Sequence, residues 1–191
     1  MKKTLPLFLL TAMLSAPVPG FTGECKGISF PEQIQVDGAR LQLNGLGLRQ
    51  ATLLRINVYV AALYLESKSA NAGEILQSTK PKRLVLHFLR GVGRDDITKA
   101  WSEGFEANAG AALPGLKDRI TTLNGWMADV GKDEVMSFTY KPGTGVQIDL
   151  GGVTKGTIKG DDFARALFSI WLGANPPNAG LKTGLLGGEC G

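Results

Sequence analysis

The chain has 191 residues, 43% of them hydrophobic and 20% charged, with a formal net charge of +4. That length is enough to enclose a real core. Its basic residues are scattered, with no run of five or more, which leaves nucleic-acid binding without support.

Lys2-Lys3 followed by the apolar segment Leu5 to Ala16 reads as a secretory signal, since about a dozen apolar residues are too few to span a bilayer. Cleavage is expected between Ala16 and Gly23. Residues 1–20 are then the signal and residues 21–191 one domain, periplasmic or secreted. Cys25 and Cys190 are the two cysteines. An even count in an exported chain suggests a disulfide between them; the alternative is two free thiols at the chain ends.

Short alternating runs, Ile34 to Val36 and Arg40 to Leu43, flank Asp37-Gly38 and predict a hairpin. Gly45-Leu46-Gly47-Leu48-Arg49 then reads as a loop presenting Arg49. The longest strand-like run follows. Its even positions, Leu54, Ile56, Val58, Val60, Ala62 and Tyr64, form an apolar face expected to pack on a core. Its odd positions, Arg55, Asn57, Tyr59, Ala61, Leu63 and Leu65, are polar at the start and suit the floor of a cleft.

A short helix is expected over 69–78. Lys82 to Arg90 is apolar on both faces, as a central strand would be. Ile97, Ala100, Trp101, Gly104, Phe105 and Asn108 follow helical spacing, with Asp95 as cap. A second helix is expected over 116–127. Strands 134–140, 146–150 and 153–158 are separated by turns short enough for antiparallel neighbours only. A very apolar helix over 161–172, capped by Asp161 or Asp162, is buried or faces a ligand. A short helix over 179–186 leads to Cys190. Meandering strands with grouped helices predict an α+β fold.

Most enzyme templates fail. The single histidine, His87, sits mid-strand and reads as a core residue. No G-x-S-x-G elbow, metal-ligand spacing or dinucleotide fingerprint is present, so neither a cofactor nor a metal is expected. What remains is Arg49 over the face that carries Asn57 and Tyr59. A guanidinium with a phenol suits a carboxylate, an enolate or a phenolate. Trp101, Phe105, Ile170 and Trp171 could surround an apolar body behind it.

Gly45-x-Gly47-x-Arg49, followed by a strand ending Tyr64-Leu65-Glu66, resembles the chalcone isomerase superfamily. So do Trp101-Ser102-Glu103-Gly104-Phe105, the run Val153 to Ile158, and the run Asp162 to Gly173, which look like its exported bacterial branch. The resemblance extends from about Phe30 to Leu186. It implies an open-faced β-sandwich, a large antiparallel sheet covered by helices. In the family's isomerases an arginine matching Arg49 stabilises the phenolate and the developing enolate. Tyr59 falls where they have a threonine, and where the fatty-acid-binding members pair the arginine with a tyrosine to hold a carboxylate. The plant enzymes' loop tyrosine has no counterpart in Arg90-Gly91-Val92-Gly93-Arg94, and an enzyme threonine falls at about Ile170.

The resemblance therefore implies non-catalytic binding of a fatty acid or similar amphipathic anion through Arg49 and Tyr59. One alternative is a chalcone isomerase-type intramolecular lyase acting on a flavonoid-like substrate, with Arg49 and Tyr59 as its catalytic pair. Another is a structural or partner-binding protein whose cleft is filled by its own side chains. A cleft of about 300 Å³ or more separates the first from the last.

Overall fold

The computed structural model describes residues 22–52 and 54–191; the expected signal segment lies outside them. Among the described residues, seven strands form one antiparallel sheet in sequence order. They are β3 (Gln33–Val36), β4 (Ala39–Ala51), β5 (Ile56–Leu65), β6 (Lys82–Phe88), β7 (Val135–Lys141), β8 (Gly145–Leu150) and β9 (Val153–Ile158). A two-stranded hairpin, β1 (Thr22–Cys25) and β2 (Ile28–Pro31), packs on the back of the sheet. Five helices contribute to the front: α1 (Ala72–Gln77), α2 (Arg94–Asn108), α3 (Leu113–Gly125), α4 (Asp161–Leu172) and α5 (Ala179–Leu185). The α+β expectation holds.

The apolar run of β5 serves two cores at once. Tyr59, Ala61, Leu63 and Leu65 face the helices, while Val60, Ala62 and Tyr64 face the β1–β2 hairpin with Phe30, Leu41 and Leu48. A strand covered on both faces loses the alternation of a half-exposed one. The Tyr64 hydroxyl completes the back by donating to the Pro31 carbonyl at 3.0 Å. In β6 the same division sets Leu84, Leu86 and Phe88 in front and Val85 behind. Lys82, 3% exposed, shares the front and donates its Nζ to the carbonyls of Ile75 and Ser78 at the end of α1. Burial pulls its ammonium down to about 8.

Several expectations need correction. The segment around Arg49 is strand, not loop: β4 runs unbroken to Ala51. Leu54 and Ile56 are not core residues; Leu54 is 83% exposed in the turn that joins β4 to β5. The run thus begins two residues late, at Ile56, because the chain is still turning at Arg55, which has positive φ and donates its N–H to the Thr52 carbonyl at 3.2 Å. Asp95 lies in the first turn of α2, whose cap is Gly93. Asp161 and Asp162 likewise follow a glycine cap, Gly160. Helix α3 starts three residues early, with Pro114 in its first turn, where a proline lacks no needed donor. The β1–β2 pair was not anticipated. The Asp37-Gly38 hairpin is as expected, with both residues at positive φ, as the favoured two-residue turn requires.

β3 pairs only with residues Ala39 to Gln42 of β4, so among the described residues no strand pairs with the outer edge of β4 beyond them. Helix α5 covers that stretch in front, and the following tail passes to the back, where Cys190 is bonded to Cys25 with Cα atoms 6.1 Å apart.

Candidate functional site

Antiparallel register sets Arg49 on β4 directly opposite Tyr59 on β5. Directly opposed residues share one face of a sheet, here the helix-covered face. The next pair is Gln50 with Asn57, so Val58 is the extra, bulged residue. The bulge brings Val58 and Tyr59 into one cavity and leaves Asn57 out of it. Asn57 Oδ1 accepts from Gln50 Nε2 at 2.9 Å.

The cavity holds about 560 Å³, within the ordinary range for small-molecule sites. Arg49, Ala51, Val58, Tyr59 and Phe88 form its floor, and Ile97, Ala100, Trp101, Gly104 and Ala107 of α2 form one wall. Ile170 of α4 closes the inner end, and the rim comprises Arg90 to Gly93, Asn175 and Pro177. Gly104 is required where it stands: a Cβ there would meet the Ile170 side chain at 2.7 Å.

The glycines before Arg49 have a different role from the one expected. Neither Gly45 nor Gly47 has positive φ, so neither makes a turn. A Cβ on Gly45 would lie 2.1 Å from the Gly184 carbonyl oxygen, and one on Gly47 2.3 Å from that of Leu181. They let α5 lie directly on β4. Arg49 emerges where this contact ends. Its Nη1 donates to Asn178 Oδ1 at 3.0 Å, to the Pro177 carbonyl at 3.5 Å and to the Gln50 carbonyl.

Tyr59 is 4% exposed, and its hydroxyl oxygen accepts from Trp171 Nε1 at 2.9 Å. Indole nitrogen only donates, so the phenolic proton remains to be given to another acceptor. Burial pushes the Tyr59 hydroxyl up to about 12, against the opposing effects of the Trp171 hydrogen bond and the Arg49 charge. Tyr59 is thus a neutral donor at any physiological pH. The pair presents one fixed positive charge and one neutral donor to a largely apolar space.

Of the residues singled out in the sequence, Arg49, Tyr59, Trp101 and Ile170 line this cavity. Asn57, Phe105 and Trp171 do not. Phe105 is wholly buried against Phe163, ring centroids 5.8 Å apart. Trp171 is wholly buried beneath Tyr59 and edge-on to Trp101 at 5.3 Å. Helical spacing places Phe105 and Trp101 on one face, but Phe105 packs against Phe163 of α4 and only Trp101 reaches the cavity.

Sequence reasoning also missed two groups. Arg90 is an exposed second guanidinium bordering the cavity, which Asp96 and Glu103 also line. Its segment was read only for a missing tyrosine. Asn178 reaches Arg49 from a part of the chain with no local motif to mark it.

No curated protein sequence matches the chain. Among solved structures, a fatty-acid binding protein of Arabidopsis thaliana is similar at a TM-score of 0.70 and 16% identity, over 87% of this chain and 96% of that one. At that identity the likeness shows the fold, and it agrees with the seven-stranded antiparallel sheet and front helices described above. The sequence model for chalcone isomerase-like proteins matches residues 22–187, nearly the whole described chain. The protein belongs to the chalcone isomerase-like family.

Proposed function

We propose that this protein binds a fatty acid or similar single-chain amphipathic anion, with the carboxylate at Arg49 and Tyr59 and the chain along α2. The observation that carries this reading is the directly opposed pair Arg49 and Tyr59 on the floor of a cavity of about 560 Å³ whose other walls are mainly apolar. A carboxylate accepts from both a guanidinium and a phenolic hydroxyl, and charge-assisted contacts of this kind are stronger than neutral ones.

The length of the space supports an acyl chain. Its α2 wall runs from Ile97 to Ala107, about 15 Å at the helical rise per residue. One acyl chain spans roughly half of a ~30 Å bilayer core, which is the same length. The likeness to a protein described as fatty-acid binding adds to this reading. Export through a cleaved signal accords with the Cys25–Cys190 disulfide, a bond typical of oxidising compartments. Among the described residues no helix is long and apolar enough to cross a membrane.

The test is calorimetric titration with a long-chain fatty acid and with its methyl ester, on wild type, Arg49→Ala and Tyr59→Phe. Wild type prefers the acid. Arg49→Ala loses that preference at a cost of about 1.5–3 kcal/mol, and Tyr59→Phe loses roughly 0.5–1.5 kcal/mol. Equal binding of acid and ester by all three proteins, or no binding by wild type, would refute the reading.

A further inference from the structure

Asn178 caps the N-terminus of α5 by position, yet its side chain makes no capping hydrogen bond. An asparagine there ordinarily accepts from a backbone N–H two or three residues later. Here its Oδ1 accepts instead from Nη1 of Arg49 at 3.0 Å and from the backbone N–H of Gln50 at 2.9 Å. A backbone N–H only donates, so the amide oxygen, not the nitrogen, faces β4. Departure from a local preference is common where a site needs the side chain elsewhere.

The contact divides the Arg49 guanidinium in two. Nη1 is taken up by Asn178, Pro177 and Gln50. Among the described residues, no hydrogen bond or ion pair engages Nε or Nη2. Those two donors form the edge of the fork that suits a carboxylate. Asn178 itself does not line the cavity.

We infer that Asn178 is a positioning residue for Arg49: its uncharged oxygen tethers one edge of the guanidinium and leaves the other edge, with its full charge, for an anionic headgroup. This rests on the carboxylate-binding reading above. Neutrality is the essential property. An aspartate at 178 could accept the same two hydrogen bonds, but its charge would be a resident counter-ion competing with the ligand.

That contrast supplies the experiment. Palmitate and methyl palmitate are titrated into wild type, Asn178→Asp and Asn178→Ala, and each protein's melting temperature is recorded. Asn178→Asp is expected to melt like wild type while its preference for acid over ester falls about tenfold, the size of one charge-assisted contact. Asn178→Ala is expected to lose acid affinity with ester binding unchanged. A purely structural role predicts otherwise: the aspartate would restore wild-type behaviour, and the alanine would weaken both ligands alike. Either of those results overturns the inference. Loss of acid preference in wild type itself would overturn the underlying carboxylate reading, and the inference with it.

Discussion

Arg49 and Tyr59 stand opposite each other on β4 and β5; an arginine carries its charge at all ordinary pH, whereas the buried Tyr59 hydroxyl stays neutral. All three tyrosines of the chain, Tyr59, Tyr64 and Tyr140, have hydroxyls pushed up to about 12, with burial the largest cause in each case. Folding therefore favours the protonated phenol. The associated stability is intact below pH 10 and is lost as pH rises from about 10 toward 12. At pH 10 a free tyrosine is half ionised; the folded protein is expected to show almost no tyrosinate absorbance there and to gain it on denaturation. One tyrosine equivalent titrating near 10 in the native protein, and absent in Tyr59→Phe, would contradict the burial of Tyr59. The same chemistry bears on ring closure. Tyr59 is the sole tyrosine lining the cavity and its oxygen is already bonded to Trp171. A chalcone added to the protein is expected to cyclise at its uncatalysed rate, followed by absorbance decay; a large excess rate abolished by Arg49→Ala would favour an isomerase. Arg49 and Tyr59 were legible as candidates because a guanidinium and a phenol stand out in an apolar run. Their opposition across two strands was not, since it depends on a bulge at Val58 that no local pattern marks.

At the scale of elements, α5 lies directly on β4, and Asn178 at its start meets Arg49 where that contact ends. Gly45, Gly47 and Gly184 lie at the contact; a Cβ on Gly184 would stand 2.1 Å from the Leu46 carbonyl oxygen. These oxygens belong to backbone and cannot swing aside. Asn44 adds a hydrogen bond from its Nδ2 to the Leu185 carbonyl at 2.7 Å. Gly47→Ala is expected to lose about 1–3 kcal/mol of stability by overpacking and to weaken acid binding more than ester binding, because α5 carries Asn178. Denaturant melts with both titrations check this. A Gly47→Ala protein of wild-type stability would show that α5 does not lie against β4. A control is Gly143→Ala, at a turn with open space around it but φ of +71°; it is expected to lose about 1 kcal/mol from backbone strain alone and to bind normally. The helices themselves were readable to within a few residues. Ile97, Trp101 and Phe105 recur on one face of α2, and that periodicity is a property of the chain alone. Glycine spacing, by contrast, looked like a turn signal and proved to be a packing surface, because sequence shows that a Cβ is missing but not what occupies its place.

For the whole molecule, the disulfide joins residues 165 positions apart and ties the tail behind α5 to the β1–β2 hairpin. In the chain-entropy account a loop of this length stabilises the fold by up to ~5 kcal/mol, and removing a native bridge typically costs about 2–5 kcal/mol. Intact mass with and without reductant is expected to differ by two hydrogen atoms, with no thiol alkylated before reduction. Reduced protein, or the double variant Cys25→Ser with Cys190→Ser, is expected to unfold at lower denaturant concentration. Two alkylatable thiols in the unreduced protein would exclude the bridge.

The α+β class, the hairpin at Asp37-Gly38, the buried strands and the helical faces were all determined by residue order, because each rests on contacts within a few positions or on a periodicity of two or 3.6. The family resemblance added a role for the arginine and tyrosine that the residues had already marked as candidates. Tertiary structure alone decided that Arg49 lies on a strand, that Val58 is bulged, that Asn57, Phe105 and Trp171 miss the cavity, and that Arg90 reaches its rim. It also brought Asn178 to Arg49 across 129 positions of chain. The reason is the range of the interactions. A bulge is defined by two strands in register and a cavity by what several elements fail to fill, so neither is a property of any single stretch.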